Sequence, residues 1–180
     1  MRDPEKILET ARLGLEPLAV GHAERLYPML EDMALYTFIP QEPPASLAEV
    51  RARYRRLAGR RSPEGDEAWL NWAARLRETR EYVGTFQATV RADGTALIAY
   101  MIFVPFQRRG LAREGCAALL SCLTGEWGVE TVVAEIDTRN TASVALVESL
   151  GFARVATVEG ADFFKGVSSD EYRYERCAEG

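Results

Sequence analysis

The chain has 180 residues, 47% hydrophobic and 27% charged, which suits one folded domain over 1–180 with its own core. A net charge of −5 argues against a nucleic-acid partner, which needs clustered cations for its phosphates. The longest apolar run, 96–106, is broken by Pro105 and too short for a bilayer. MRDPEKILETARL lacks the apolar stretch of a signal peptide, so a cytoplasmic protein without membrane contact is expected.

ARLGLEPLAV alternates and predicts a short strand. HAERLYPMLEDMAL has helical spacing through Leu26, Met29, Leu30 and Met33, with Pro28 in its first turns or kinking it. Ser46 and Glu49 form an S-x-x-E capping box that starts a second helix. WLNWAARL, YVGTFQATV and TALIAYMIFV then read as three strands, and Asp93-Gly94 joins the last two in a hairpin. A helix over about 111–123 carries Leu111, Gly115, Cys116, Leu119, Leu120 and Leu123 on one stripe. TVVAEID is a strand, 140–150 a short helix, and ARVATVE and EYRYER two closing strands. The middle is an antiparallel meander, whereas later strands join through helices, as parallel neighbours must.

Three cysteines without C-x-x-C spacing, and one histidine, His22, argue against a disulfide framework and a metal site. Cys116 falls on the apolar stripe and reads as core; His22 reads as a surface residue.

The stretch QRRGLAREG follows an apolar strand and opens a helix. The first turn of a helix has free N–H groups and a partial positive charge, so an anion can bind there. Gly110 keeps a side chain out of the way, and Arg108, Arg109 and Arg113 add charge. Neither G-x-x-x-x-G-K-[ST] nor G-x-G-x-x-G is present. About thirty residues later, Asn140 can cap a helix and Gly151 can end it.

Together, Q-x-x-G-x-A at Gln107, Gly110 and Ala112, and the block Asn140, Ser143, Gly151 and Phe152, resemble the GNAT superfamily of N-acetyltransferases. The amino-terminal ARLGLEPLAVGHAERLYPML looks like its RimJ/RimL-like branch, which includes the ribosomal-protein alanine N-acetyltransferases. The resemblance implies a mixed α+β fold. Its sheet has six to seven mostly antiparallel strands, about four flanking helices and a splayed parallel pair, here 96–104 and 131–137. It implies acetyl-CoA as co-substrate. Ile102, Phe103 and Val104 would contact the pantetheine arm, and the N–H groups of Arg108, Arg109, Gly110, Leu111, Ala112 and Arg113 the diphosphate. Asn140 and Ser143 would lie along the rest of the cofactor.

The implied reaction is direct attack of an amine on the thioester. Ser143 is the candidate donor to the departing thiolate, or only part of the helix cap. Many members use a Tyr seven residues after the Asn; here that residue is Val147. Glu135 is the candidate base, with Asp137 beside it; two apart on a strand, both face one cleft or both face solvent. Tyr100 is a further polar group on the splayed strand, or core. Trp69, Trp72, Phe86, Tyr172 and Tyr174 are candidates to shape an acceptor cleft, or core. The acceptor is expected to be a protein amino terminus or a small amine. A non-catalytic acyl-CoA-binding module of the same fold is the alternative. EYRYER suits an exposed edge, so a homodimer through the carboxyl-terminal strands is expected.

Overall fold

The computed structural model describes residues 2–178. Their strands are β1 (Leu8–Glu9), β2 (Leu13–Pro17), β3 (Ala68–Leu76), β4 (Tyr82–Val90), β5 (Thr95–Ile102), β6 (Thr131–Asp137), β7 (Ala153–Phe164) and β8 (Val167–Cys177). The helices are α1 (Ala23–Leu30), α2 (Leu47–Leu57), α3 (Leu111–Gly125) and α4 (Thr141–Ser149). The eight strands form one sheet in the order β1-β2-β3-β4-β5-β6-β8-β7, antiparallel throughout except for β5 beside β6. The strand beyond the expected seven is β1, two residues too short to leave a periodic signal. The closing hairpin also exceeds the expected strands, because DFF and VSSD continue the pairing through Asp162↔Ser169 and Phe164↔Val167.

Alternation along each strand divides the core. Leu70, Trp72 and Ala74 of β3 and Ala96, Ile98 and Ile102 of β5 face α3, where Leu111, Cys116, Leu119 and Leu123 meet them. Val147 of α4 joins this core. On the opposite face Ala73 and Phe103 pack with Leu26 and Leu30 of α1 and Val50 and Tyr54 of α2. The helix starts follow the caps in the sequence. Ser46 accepts from Glu49 N at 3.2 Å, while Glu49 Oε2 accepts from Ala45 N at 2.8 Å. Asn140 Oδ1 accepts from Ser143 N at 3.2 Å.

Trp72, Phe86 and Tyr174 are fully buried core residues, as side chains at alternating strand positions usually are. Tyr174 donates to Glu148 Oε1 at 2.8 Å and fastens α4 to the sheet. His22 is not a free surface residue. Its ring meets Glu16 at 3.3 Å and the edge of Tyr82, because Glu16 of β2 gathers Arg75, Tyr82 and His22 around one carboxylate.

Candidate active site

Two strands part in the middle of the sheet. The β5–β6 register runs Thr95↔Thr131, Ala96↔Val132, Leu97↔Val133 and stops there. Each strand keeps its outer neighbour: β5 pairs with β4 as far as Ile102, and β6 with β8 as far as Asp137. Phe103 donates its N–H to Val83 O at 2.8 Å. Antiparallel pairing alternates, so the main-chain groups of Tyr100 and Ile102 point the other way, into the gap. Gln107 reaches back and donates from Nε2 to Ile102 O at 2.9 Å, tying the loop to the strand end.

A cleft of about 530 Å³ opens along this gap. Ile102, Arg108, Gly110, Leu111, Ala112, Arg113, Asn140 and Ser143 all line it. Phe103 is instead buried between the sheet and the α1–α2 layer. Val104 and Arg109 also lie off the lining, whereas Met101 and Phe106 contribute to it. The Arg109 guanidinium lies over the Phe106 ring at 5.7 Å, and its carbonyl accepts from Arg12 at 2.9 Å.

The start of α3 could hold an anion. Gly110 caps it with φ 75 and ψ 5, a left-handed conformation, and no side chain occupies the first-turn N–H groups. A Cβ at Gly110 would meet Arg12 Nη2 at 3.5 Å and nothing nearer. The Glu114 carboxylate of the same turn is held elsewhere, accepting from Arg12 N at 2.8 Å, Arg12 Nε at 2.6 Å and Thr10 Oγ1 at 2.5 Å. Burial alone would raise its pKa, but these donors outweigh that and keep it low. Arg113 donates to Ser149 Oγ at 3.2 Å and so ties α3 to α4 across the cleft. These residues fit a diphosphate at the helix start and an extended arm in the gap.

A second cavity of about 190 Å³ adjoins the first and shares Phe38, Ile39, Tyr100, Asn140 and Ser143 with it. Lys165, in the β7–β8 turn, donates to the carbonyls of Tyr36 and Ile39 and pins the segment that roofs both cavities. Its wall is acidic: Glu135, Asp137, Asp162 and Glu171 all line it. Asp137 is buried and accepts from Arg139 Nη2 at 2.6 Å, Arg139 N at 2.8 Å and Ser169 Oγ at 2.6 Å. The Arg139 guanidinium leads in holding its pKa down at about 2, so Asp137 organises the turn into α4 as a fixed anion. Glu135 faces Arg173 at 3.2 Å and is partly exposed. Glu171 is half-buried, and burial first, then the charges of Glu135, Asp162 and Asp137, push its pKa up.

Asp162 and Glu171 carry no local signal in the sequence. They reach the cavity because β8 runs antiparallel to β6, which sets Glu171 opposite Asp137, and because β7 folds back on β8. The negative wall is therefore made of β6, β7 and β8. Among the described residues, no group of three or more His, Cys, Asp or Glu side chains could hold a metal ion, and no helix is long and apolar enough to cross a membrane.

The model of the acetyltransferase (GNAT) domain family matches residues 12–153, well over half the chain. The chain belongs to the GNAT acetyltransferases. An N-acetyltransferase of Bacillus subtilis strain 168, YoaA, is 24% identical over 170 residues, 93% of this chain and 94% of that protein. The ribosomal-protein alpha-N-acetyltransferase RimL, solved with coenzyme A, superposes with a TM-score of 0.85 at 18% identity, covering 96% of this chain and 98% of that one. A GNAT-family acetyltransferase from Bacillus anthracis gives 0.83 at 17% identity, covering 96% and 98%. The RimL structures among these neighbours agree with the RimJ/RimL-like character of the amino-terminal stretch. In this GNAT chain the residue seven after Asn140 is Val147, packed in the core, and that position of α4 carries no phenol.

Proposed function

We propose that this acetyltransferase moves the acetyl group of acetyl-CoA to a primary amine by direct attack of the amine on the thioester. One observation carries the reading: the parting of β5 and β6 joins a cleft that ends on the start of α3 to a cavity walled by carboxylates. The N–H groups of 110–113 and the Arg108 side chain hold the diphosphate. The main-chain groups of Tyr100 and Ile102 pair with the arm. Asn140, whose Oδ1 caps α4, keeps its amide N–H₂ for the same ligand.

The acidic wall attracts an amine in its charged form, so the acceptor is a cation that must lose protons to react. An ammonium has no lone pair, so one proton must pass to water before attack, from a pKa of about 8 for an amino terminus or about 10.4 for a lysine-like amine. As the N–C bond forms, the nitrogen of the now neutral amine turns acidic, and a carboxylate takes its second proton. Glu171, desolvated and surrounded by like charge, is better suited to this than Glu135, which Arg173 partly neutralises. The C–S bond breaks, its electron pair stays on sulfur, and the Ser143 hydroxyl stands beside the shared wall as a donor. RimL's action on a ribosomal-protein amino terminus supports a protein amino terminus as acceptor. A small amine is the other member of the same class. EYRYER is not the edge that was expected, because β8 pairs with β6 on one side and β7 on the other; β7, exposed along nearly its whole length, is the edge and supports pairing of two copies there.

Calorimetric titration with acetyl-CoA, followed by thiol release with amino-terminal peptides and small amines, tests the reading. One site per chain and turnover of an amine are expected. A folded protein that neither binds acetyl-CoA nor releases thiol overturns it.

A further inference from the structure

Three buried side-chain polar atoms among the described residues lack a hydrogen-bond partner: Arg60 Nη1, Trp127 Nε1 and the Tyr100 hydroxyl. Such groups are costly and call for a reason. Tyr100 alone of the three lines the site, and it lines both cavities. Its position is enforced from behind. Its ring stacks on Phe86 at 6.3 Å, and Phe86 is wedged against α3 at Gly115, where no side chain intervenes. Burial leads in raising the phenol's pKa to about 12, so it is a donor at any physiological pH. Ser143 is near enough to oppose that rise, yet the two hydroxyls do not form a hydrogen bond.

Parity along the strands places the two halves of the reaction on opposite sides of the sheet. Tyr100 follows Ala96 and Ile98 onto the α3–α4 side, whereas Glu135 alternates with Ala134 and Ile136 and lies on the other. Main-chain N–H groups in the gap are available for the thioester carbonyl. The phenol, on the Ser143 side, is left for the sulfur.

We infer that Tyr100 is a catalytic residue whose hydroxyl donates a hydrogen bond to the sulfur as the thiolate leaves, alongside Ser143. The inference rests on the proposed acetyl transfer. The N–C bond forms, the C–S bond breaks, and the electron pair on sulfur is met by two O–H donors. The phenol keeps its proton: a thiol titrates near 8.5, far below a phenol at about 12, so full transfer would run uphill. The nitrogen's proton leaves through the carboxylate wall, and the sulfur takes its proton from water on release. In effect β5 supplies the phenol that Val147 denies to α4.

Tyr100→Phe tests this, since it deletes a hydroxyl without a partner and leaves the ring stack. The first readout is binding. Titrations at pH 10.5 compare CoA, largely thiolate there, with desulfo-CoA, which lacks the sulfur. Wild type is expected to favour CoA, and Tyr100→Phe to bind CoA about tenfold more weakly with desulfo-CoA unchanged, the low end for a hydrogen bond to a charged group. In turnover the variant's kcat falls by about tenfold or more, KM for acetyl-CoA holds, and the pH profile keeps its shape. The melting temperature is unchanged or higher. Equal CoA binding and equal kcat in the two proteins overturn the role of Tyr100 and leave acetyl transfer standing. Wild-type protein that binds neither ligand overturns both.

Discussion

Gly115 of α3 lies against the ring of Phe86 so closely that a Cβ there would come within 2.6 Å of Cε1 and nearer still to Cζ. The contact sets how near α3 approaches the sheet, and Phe86 in turn backs Tyr100. Gly115→Ala gains helix propensity, but overpacking a close-packed core costs about 1–3 kcal/mol, which wins. A lower melting temperature is expected by calorimetry, together with reduced kcat as the Tyr100 ring is displaced. Unchanged stability would mean that α3 moves outward freely.

Gly110→Asp separates binding from folding. The added carbon has room, and a non-glycine residue at φ 75 costs about 1–2 kcal/mol. The carboxylate, however, faces the ligand's diphosphate. Acetyl-CoA affinity is expected to fall at least a hundredfold while the circular dichroism spectrum stays native. Retained affinity would remove the diphosphate from the start of α3.

Asp137 should mark the acid unfolding of the protein. Its folded pKa, about 2, lies below the ordinary 3.8, so its stabilisation is present above pH 3.8 and is lost as pH falls towards 2. That depression is worth roughly 2 kcal/mol for this buried carboxyl. Asp137→Asn is expected to lower the melting temperature by roughly 4–8 °C at pH 7 and to flatten its fall between pH 4 and 2. Thermal scans across that range decide it, and an unaltered acid limb would assign the fall to other groups.

Glu171 has the opposite sign. Its folded pKa is raised, so once ionised above that pKa it weakens the fold. Glu171→Gln is expected to melt at the same or a higher temperature at pH 7, yet to lose at least tenfold in kcat/KM for the amine and the acid limb of its pH profile. If activity persists and Glu135→Gln abolishes it, the base is Glu135.

The periodicities, caps and turn dipeptides of the chain are local, and so they were legible without a structure. Ser46–Glu49 starts α2, Asp93-Gly94 turns β4 into β5, and the order of strands and α-helices among the described residues follows with only the two-residue β1 unannounced. QRRGLAREG and the Asn140–Ser143 turn also keep their chemistry within a few bonded neighbours, so the α3 and α4 edges of the cleft could be read as a sequence. Strand register, by contrast, is fixed by which side chains find a core, and it is non-local. Only the fold could place Glu171 opposite Asp137, bring Ser169 onto Asp137, and turn Tyr100 towards Ser143. The gap that Tyr100 lines opens where β5 and β6 let go of each other, which no run of neighbouring residues encodes.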